Sequence, residues 1–534
     1  MSFIDTEEMQ DGAAVAADLC VIGGGAAGIA LAKEFIGHSA RVVLLESGGL
    51  KFRHRPQFLY IGENRGIDNY PTTHSRFRMF GGSTTRWGGQ CRPLNRLDFE
   101  KRDAIPHSGW PFGFDHLEPY YERAQTVCNL GPYNYDADFW QRGSGDRLHV
   151  TSALLEPVIY QFSHPSDFGK VYYEDLDRAR NVRVFLNASV TEISTSANAA
   201  QVTSVSASSF NRRRVSFTAT MYVLACGGIE NPRLLLASDK VAPQGLGNEH
   251  DLVGRFFMDH PYFLTGCYLP SDPAVDRNCY TIEGYENVGK EQKFHAAFAI
   301  KQAVLRDKGI NGAALYFVRR PRYKTLPDYY MPSGKSFTHL VNLVRHDDVP
   351  NRKFGKHVLN VLRRPDTIAR TLVRQALELA RPRPLLALRS VLEPTPNPES
   401  RVTLTAKHDH FGMRRVRVDW RLNSSDRLGL DYLLLSLRNE VERLKLGRLV
   451  TDETADAHDW PISMTGGKHH MGTTRMHASP KLGVVDPDCR MHSIANLYVA
   501  GSSVFPTGGF ANPTLTIVAL AIRLADHLKA RLQS

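Results

Sequence analysis

The 534-residue chain lacks the features that mark several classes of protein. Its seven cysteines are scattered and never stand as Cys-x-x-Cys, so they indicate reduced thiols and give no disulfide framework or zinc site. Apolar runs of eighteen residues or more are missing, which argues against a transmembrane helix. Residues 1–10 hold no basic cluster, so the apolar residues that follow are not expected to form a signal peptide. These absences favour a cytoplasmic location.

What the chain does contain is the composition of a folded globular protein, with 42% hydrophobic and 23% charged residues. This balance excludes a mostly disordered chain. At about 150 residues per domain, the length predicts more than one domain.

Most of the net charge of +11 lies in residues 341–390, where eleven Lys and Arg stand against four Asp and Glu. Leucines and arginines alternate there at helical spacing, so we predict a basic helical stretch packed on the rest of the protein. A surface for a membrane, an acidic partner or a second copy of the chain stays open as an alternative. No nucleic-acid-binding motif accompanies the charge, so nucleic acid is not an expected partner.

The first fifty residues show the pattern of a nucleotide-binding βαβ unit. A short apolar strand at 18–22 leads through a glycine turn to a helix at 26–36 and a second strand at 41–45. Such a unit places two parallel strands side by side with the helix packed across them.

The turn of this unit carries Gly23, Gly25 and Gly28 as Gly-x-Gly-x-x-Gly. The first glycine permits the tight turn, the second lets a pyrophosphate approach the backbone, and the third lets the helix pack close to the strand. The helix N-terminus offers unpaired N–H groups to phosphates. Glu46 ends the second strand, where a carboxylate reaches ribose hydroxyls. The pattern predicts dinucleotide binding without separating FAD from NAD; a glycine-rich turn with a surface carboxylate is the alternative.

The remainder of the chain changes character twice. Strand-like runs occur at 182–186, 201–208 and 214–224. Aromatic residues then alternate over about 260–345 as in an antiparallel sheet, a pattern that 401–404 and 415–418 continue. A helix at 426–444 follows, and about the last seventy residues return to strand, glycine turn and helix. The sequence therefore predicts a nucleotide-binding fold split by an inserted α+β domain.

Two motifs near the C-terminus carry residues suited to catalysis. Residues 468–476 read Lys-His-His-Met-Gly-Thr-Thr-Arg-Met, and residues 508–516 read Gly-Gly-Phe-Ala-Asn-Pro-Thr-Leu-Thr ahead of an apolar helix. Asn512 and Pro513 fit the N-cap and the first position of that helix. A flavin ring over this N-terminus would be stabilised when reduced and negatively charged. A histidine in the glycine-flanked loop could take a hydroxyl proton, because its ordinary pKa is close to working pH.

Five segments together resemble the glucose–methanol–choline (GMC) oxidoreductases, flavoenzymes that oxidise alcohols. They are the glycine motif, Gly-Gly-Ser-Thr-Thr-Arg-Trp-Gly-Gly at 81–89, Ala-Cys-Gly-Gly-Ile-Glu-Asn-Pro at 225–232, Val-Gly-Arg-Phe-Phe-Met-Asp-His-Pro at 253–261, and the C-terminal motifs. Within the family, the C-terminal motifs are most similar to the branch of pyranose oxidases and FAD sugar dehydrogenases. Residues 270–395 match weakly.

The resemblance implies an α/β fold with a discontinuous FAD-binding domain on the Rossmann-like βαβ core. It also implies an inserted α+β substrate domain, whose antiparallel sheet covers the substrate side of the flavin. The FAD-binding domain would take residues 14–50, 75–130, 181–262 and 465–534. The substrate-binding domain would take residues 51–74, 131–180 and 263–464, including the basic stretch 341–390.

By position, the resemblance implies that His469 is the catalytic base and that Asn512 holds the substrate hydroxyl in line. The residues assigned to FAD are Gly23, Gly25, Ala27, Gly28, Glu46, Ser47, Gly82, Ser83, Thr85, Trp87, Gly88, Gly89, Val190, Ala225, Gly227, Gly501, Ser502, Asn512, Pro513 and Thr514. An ordinary core valine is an equally good interpretation of Val190. For Trp87 the alternative interpretation is a side chain that anchors its loop. We interpret His260 and His470 as structural. No metal site is expected, because no Cys, Asp or Glu stands at ligand spacing beside the histidine pair.

One position departs from the pattern of this branch. Pyranose oxidases hold their flavin covalently through a histidine in the loop that corresponds to residues 83–87. Arg86 stands at that place, and an arginine cannot form the link. The departure predicts non-covalent FAD.

The function that the resemblance implies is oxidation of a hydroxyl group of a sugar, glycoside or related polyol to a carbonyl. His469 takes the hydroxyl proton while a hydride passes to flavin N5. Oxygen or another redox acceptor, such as a small subunit or a cytochrome, reoxidises the flavin, and export to the periplasm with such a subunit stays open. Other open alternatives are a homo-oligomer, a redox-silent flavoprotein lyase, oxidation of a non-sugar alcohol, and a membrane-surface role.

Overall fold

The computed structural model describes residues 2–67, 70–141, 150, 152–271, 279–282, 285–286, 293–320, 333, 336–337, 340–341, 354–380, 385–451, 460 and 464–533. Within these residues, two large sheets and a small one carry the fold. The first large sheet has a parallel centre, and the second pairs its strands antiparallel. The predicted α/β fold with a second, sheet-containing part is confirmed, and the domain boundaries stay a prediction.

The first sheet holds the βαβ unit at its centre. Its described strands are Phe3–Asp5, Ala13–Ile22, Val42–Leu45, Val182–Leu186, Ser189–Thr195, Val202–Ser208, Arg214–Leu224 and Leu497–Val499. Ala13–Ile22 runs parallel between Val42–Leu45 and Arg214–Leu224. Leu497–Val499 runs parallel to Arg214–Leu224 on part of its length. Residues 19–22 are buried, as a continuous apolar run is in the centre of a parallel sheet.

The central strand is longer than the sequence predicted. It begins at Ala13, whereas the prediction covered only 18–22. Residues 13–17 pair with 215–219 of the neighbouring strand, and their side chains alternate between exposed and half-buried up to the buried residue 17. The apolar run therefore predicted only the end of the strand that is buried on both faces. The earlier residues of the strand have water on one face, so they do not form a continuous apolar run.

Helices flank this sheet. Ala26–Glu34 follows the glycine turn and ends two residues before the predicted 36. Thr514–Gln533 packs against it and against Phe114–Val127. The other described α-helices are His54–Gln57, Arg96–Phe99, Ala137–Gln141, Phe168–Val171, Tyr173–Arg178, Gly227–Ala237, Gln302–Lys308, Phe354–Leu362, Pro365–Ala380 and Asp426–Arg443. Among the helices that the structure describes, none is long and apolar enough to span a membrane.

The second sheet is antiparallel, as the aromatic alternation predicted. Its described strands are Gln90–Cys91, Leu155–Phe162, Pro261–Pro270, Tyr285–Glu286, Lys293–Ile300, Ala313–Arg320, Leu385–Leu392, Gly447–Thr451 and Thr465–Gly466. Pro261–Pro270 lies between Leu385–Leu392 and Gly447–Thr451. The helix Asp426–Arg443 packs against this sheet and buries Leu430, Leu433 and Leu437.

Two strands that continue the alternating pattern form a separate sheet. Arg401–His408 and Arg414–Trp420 pair with each other, and Glu63–Gly66 pairs parallel with the second of them. Their apolar face, with Val402 and Val416, packs on Ile229 of the helix Gly227–Ala237. The alternation of these strands follows that of residues 260–345, but their apolar face has its own partner beside the first sheet.

The basic stretch 341–390 is helical over part of its length. Phe354–Leu362 and Pro365–Ala380 are helices, while residues 342–353 and 381–384 lie outside the described residues. Residues 385–390 belong to the strand Leu385–Leu392, so the prediction of a helical stretch to 390 was wrong at its end. That end pairs with two neighbouring strands of the second sheet, and this pairing overrides the helical spacing of its leucines and arginines.

The tight packing at Gly28 predicts that a larger residue there would lower the free energy of unfolding. A Cβ on Gly28 would lie 1.9 Å from the carbonyl oxygen of Gly23. Helix propensity alone would stabilise Gly28→Ala by up to about 1 kcal/mol. We expect the contact to reverse the sign and lower the free energy of unfolding by about 1–3 kcal/mol in urea titrations. Gly355→Ala, where a Cβ meets nothing within 4 Å, is the control and is expected to be neutral or stabilising. Equal effects of the two variants would contradict the packing argument.

Candidate functional site

A cavity of about 550 Å³ gathers most of the residues that the sequence analysis assigned to cofactor binding and catalysis. The predicted residues that line it are Gly23, Gly25, Ala27, Glu46, Ser47, Gly82, Ser83, Trp87, Gly88, Gly89, Val190, Ala225, Gly227, His469, Gly501, Ser502, Asn512, Pro513 and Thr514. Two predicted residues lie outside its wall. Gly28 packs on the turn below, and the Thr85 hydroxyl donates a hydrogen bond to Gly82 O at 2.8 Å.

The glycine motif brings bare backbone to the cavity. Gly23 has a φ of +115°, and a Cβ there would lie 2.6 Å from Ala225 O of the next strand. Gly25 and Gly227 both line the cavity, and a Cβ on either would meet no protein atom within 4 Å. These two positions leave space that a bound group can approach, as the motif requires for a pyrophosphate.

The helix Ala26–Glu34 points its N-terminus at this backbone. Its N-cap is Gly25, which offers no side-chain hydrogen bond, and its first turn holds no acidic residue. The first N–H groups and the positive end of the helix dipole are therefore available to phosphate oxygens.

Glu46 stands beside the turn with its carboxylate fixed by backbone. Its oxygens accept hydrogen bonds from Gly24 N at 2.9 Å and Gly48 N at 2.8 Å. Burial raises the pKa of Glu46, and the two N–H groups and the nearby Arg78 oppose that rise. The carboxylate lines the cavity where the resemblance assigns it to a ribose.

A buried charge cluster on the cavity wall was missed in the sequence. Glu230 accepts hydrogen bonds from Arg76 at 2.7 Å, Arg78 at 2.6 Å and Arg233 at 3.1 Å. The guanidinium groups of Arg76 and Arg78 lie 3.9 and 4.2 Å from the ring centre of Tyr60. Burial disfavours the Glu230 carboxylate, but Arg233, Arg76 and Arg78 together hold its pKa at about 2. The Arg-Phe-Arg sequence before the glycine pair at 81–82 was the signal that could have indicated the cluster.

The loop that carries His469 is clamped from behind by a buried carboxylate. The Asp259 side chain accepts hydrogen bonds from His469 N at 2.7 Å and from Lys468 N at 3.2 Å. A Cβ on Gly228 would lie 2.3 Å from His470 O, so the loop also rests on bare backbone of the Gly227–Ala237 helix. These contacts fix the position of the His469 backbone.

Burial keeps the histidines of this loop neutral. It lowers the pKa of His469 well below its ordinary value, and His260, His470 and Arg389 lower it further. Burial likewise lowers the pKa of His470 to about 3. A neutral imidazole can accept a proton, which is the state that a general base needs.

The second sheet supplies the other wall near His469. Tyr262, Ile282, Tyr316 and Arg389 line the cavity there. The guanidinium of Arg389 lies 4.8 Å from the ring centre of Tyr262. The sequence analysis assigned no role to these residues, because alternation along a strand does not show which residues face a cavity.

The N-terminus of the last helix differs by one residue from the prediction. The first helical hydrogen bond runs from Ile517 N to Pro513 O at 2.8 Å, and the helix begins at Thr514. Pro513 is thus the N-cap, whereas Asn512 was expected there. A proline fits either position because its fixed φ suits a helix start and it lacks an N–H. Asn512 is half-buried and lines the cavity.

The loop at 81–89 presents Trp87 and Arg86 to the same cavity. The indole N–H of Trp87 donates to Ser166 O at 2.9 Å, so Trp87 anchors the loop and also lines the cavity. The guanidinium of Arg86 lies 5.4 Å from the ring centre of Phe77 and 5.7 Å from that of Phe52. Neither side chain carries a nucleophile or a metal-binding group.

Cys226 adds a thiol to the cavity wall. Its Sγ donates a hydrogen bond to Ile22 O at 3.1 Å, and its backbone N–H donates to Asn231 Oδ1 at 2.8 Å. Burial raises the pKa of the thiol to about 12. Among the described residues, no group of His, Cys, Asp and Glu forms a metal site.

These residues fit the FAD that the sequence predicted. The open glycine backbone and the helix N-terminus suit its pyrophosphate, and Glu46 suits a ribose. His469 and Asn512 line the same cavity as these groups.

Comparisons with known proteins agree with this fit. Residues 396–521 match the family model described as GMC oxidoreductase, and residues 18–245 match the one described as FAD dependent oxidoreductase. The 6'''-hydroxyparomomycin C oxidase of Streptomyces lividus is 26% identical over 96% of this chain and 92% of its own. A C-glycoside 3-oxidase of Arthrobacter globiformis is 35% identical over 24% of this chain and 23% of its own.

A solved structure extends the similarity to the fold. The structure of a fungal aryl-alcohol oxidase covers 98% of this chain and 100% of its own, with a TM-score of 0.56 at 16% identity. Together the matches confirm the predicted FAD and the predicted type of enzyme, an oxidoreductase that acts on a hydroxyl group.

The Glu230 cluster predicts a dependence of stability on pH. Because its pKa in the folded protein is about 2, below the ordinary 4.5, its ion pairs contribute fully above pH 4.5. That contribution is lost as the pH falls through about 2. We expect Glu230→Gln to lower the free energy of unfolding at pH 7 by about 3–5 kcal/mol, because it leaves buried guanidinium groups unpaired. In urea titrations from pH 7 downward, the deficit should shrink below pH 4.5.

The control for this prediction is Glu192→Gln. Glu192 pairs with Lys240 at 2.7 Å, but the lysine side chain is 77% exposed. Its loss should cost under about 1 kcal/mol. A deficit for Glu230→Gln that equals the control, or that does not change with pH, would contradict the argument.

Proposed function

We propose that this chain, an FAD-dependent oxidoreductase with a GMC oxidoreductase C-terminal domain, oxidises a hydroxyl group of a sugar, glycoside or related polyol to a carbonyl. The observation that carries the proposal is the lining of a single cavity. The glycine motif and the half-buried, neutral His469 both line it. Asn512 lies on the same wall.

Each group at the site has a distinct role in the proposed reaction. FAD, when bound, supplies the acceptor for the hydride that leaves the carbinol carbon. His469 takes the hydroxyl proton, and Asn512 orients the hydroxyl through its side-chain amide. Asp259 holds the backbone of the base in place through two N–H groups. Placement of such a base contributes about 10²–10⁴ in rate.

The proposed substrate class rests on the wall of the second sheet and on the relatives. Tyr262, whose ring centre lies 6.1 Å from that of His469, and Tyr316 line the cavity with aromatic rings, and Arg389 adds a guanidinium. Aromatic faces and donors of this kind suit a ring that carries several hydroxyl groups. A relative named C-glycoside 3-oxidase shares 35% identity over 24% of this chain.

The flavin is proposed to be held without a covalent bond. Arg86, at the position where pyranose oxidases carry the linking histidine, directs its guanidinium toward Phe52 and Phe77. The cytoplasmic location, the electron acceptor and the oligomeric state stay predictions.

Non-covalent binding predicts that acid releases the flavin. We expect precipitation of the purified yellow protein with acid to leave the flavin in the supernatant and a colourless pellet. Arg86→His, followed by the same treatment, tests whether the residue at this position decides the outcome. A yellow pellet from the unaltered protein would contradict the proposal.

The proposed reaction is tested by anaerobic mixing with sugars, glycosides, polyols and simple alcohols. We expect the oxidised-flavin absorbance to bleach with one class of hydroxylated substrate. His469→Ala should keep its flavin and bleach more slowly by roughly 10² or more. His477→Ala, a histidine that is not part of the cavity wall, is the matched control and should bleach at the normal rate.

Three outcomes would count against parts of this proposal. Absence of bleaching with every alcohol would favour a redox-silent flavoprotein. Bleaching by simple alcohols alone would overturn the substrate class. Normal bleaching of His469→Ala would overturn the assignment of the base.

A further inference from the structure

The segment that ends in His260 pairs with the loop that carries His469. Met258 N donates to Met471 O at 3.0 Å, and Met471 N donates to Met258 O at 2.9 Å. Gly467 N donates to His260 O at 2.8 Å. This short antiparallel ladder aligns the two histidines, which lie far apart in the sequence, side by side.

The two imidazole rings meet through a direct hydrogen bond. His260 Nδ1 lies 2.8 Å from His469 Nδ1, and the rings are nearly perpendicular at 81°. On its other side, His260 Nε2 lies 2.8 Å from Gly509 O. His260 is fully buried, with both ring nitrogens engaged.

The position of each proton follows from these contacts. A carbonyl oxygen only accepts, so His260 must carry its proton on Nε2 and donate it to Gly509 O. Burial lowers the pKa of His260 to about 4, so the ring is neutral and its Nδ1 has a lone pair. His469 Nδ1 must then carry a proton and donate it to His260 Nδ1. Since His469 is also neutral, its lone pair lies on Nε2.

We propose that His260 is a positioning residue that holds His469 in the tautomer with the lone pair on Nε2, the atom that receives the substrate proton. This inference rests on the proposed function for the role of His469 as base. It revises the sequence-based interpretation of His260 as merely structural.

With this arrangement, every proton and electron pair in the proposed step has a donor and an acceptor. The O–H bond of the substrate breaks, and its proton forms a bond with His469 Nε2. The C–H bond breaks with its electron pair, which leaves as hydride to the bound flavin, and the substrate becomes a carbonyl. His469 becomes an imidazolium whose Nδ1–H continues to donate to His260. A second imidazole that is hydrogen-bonded in this way fixes both the tautomer and the orientation of the His469 ring, as hydrogen-bond partners of catalytic imidazoles do.

The charged groups around the pair leave this arrangement intact at working pH. Arg389 and His470 face His469 and lower its pKa. Glu393 raises the pKa of His260, but burial outweighs it. Asp259 accepts hydrogen bonds from backbone N–H groups of the loop. His260 therefore stays neutral and keeps accepting through the reaction.

The inference is tested without any substrate by nitrogen NMR. The holoprotein is labelled with [15N]histidine, and the His469 signals are assigned from their loss in His469→Gln. We expect His469 to be protonated on Nδ1 with a bare Nε2. In His260→Ala the acceptor is gone, and His469 should move toward the Nε2–H form. An Nε2–H signal for His469 in the unaltered protein, or no change in His260→Ala, would overturn the inference.

Two further variants separate positioning from a structural role. His260→Gln keeps an amide oxygen to accept and an N–H to donate, so it should retain the Nδ1–H form of His469. His295→Gln alters another fully buried histidine, which bonds to Ala296 O and stacks on Tyr160, and should leave the His469 signals unchanged. If His260→Ala fails to fold, the unaltered protein and His260→Gln still decide the tautomer. Loss of the Nδ1–H form in His295→Gln would contradict a specific role for His260.

Kinetics add a second readout once the alcohol panel has identified a substrate that bleaches the flavin. Flavin reduction by that alcohol should slow by roughly 10²-fold in His260→Ala and far less in His260→Gln, with unchanged saturation by substrate. Raising the pH should not restore the rate, because both tautomers are neutral. A rate that recovers at high pH, or that is normal in His260→Ala, would overturn the inference. A failed substrate panel with the expected tautomer would instead count against the proposed function alone.

Discussion

Close contact between backbones at the ends of the central parallel strands is the constraint on which the site depends. A side chain on Gly28 would collide with Gly23, one on Gly23 with Ala225, and one on Gly228 with the carbonyl of His470. These contacts join the helix start, two strand ends and the loop that carries His469 with no side chain between them. Backbone atoms are the least adjustable part of a protein, so the glycine motif and the His469 loop are held at a fixed separation.

Burial determines which protonation states the side chains around the cavity can adopt. Charged groups inside the wall are paired, as Glu230 is with its arginines, because an isolated buried charge is costly. The His260 imidazole is instead kept neutral, and its two ring nitrogens are satisfied by hydrogen bonds with Gly509 and His469.

Local features of the site could be predicted from the sequence, and contacts between distant segments could not. The glycine turn and Glu46 follow one another along the chain, so their spacing predicted their geometry. The charge cluster of Arg76 and Glu230 joins residues more than 150 positions apart, and no periodicity reports such a pair. The resemblance singled out His469, which lines the cavity, but its hydrogen bond to His260 became visible only when the two segments were seen side by side.

Two contacts that the local sequence pattern did not reveal share a physical cause. The strand at 401–408 alternates like its predecessors, yet its apolar face packs on a helix beside the first sheet. Thr85 lies within a motif that contacts the cavity, but its hydroxyl turns back to its own loop. In both cases the local pattern was right and the choice of partner was made by tertiary packing, which acts over distances that a sequence window does not span.

The buried thiol of Cys226 has a consequence for the durability of the protein. Oxygen as the electron acceptor would release hydrogen peroxide in the cavity that Cys226 lines. Peroxide attacks the thiolate far faster than the thiol, and oxidation beyond the sulfenic acid is irreversible. With its pKa raised to about 12, Cys226 remains protonated through the whole range in which the protein would work. If oxygen is the acceptor, this part of the cavity wall would therefore resist damage by the peroxide.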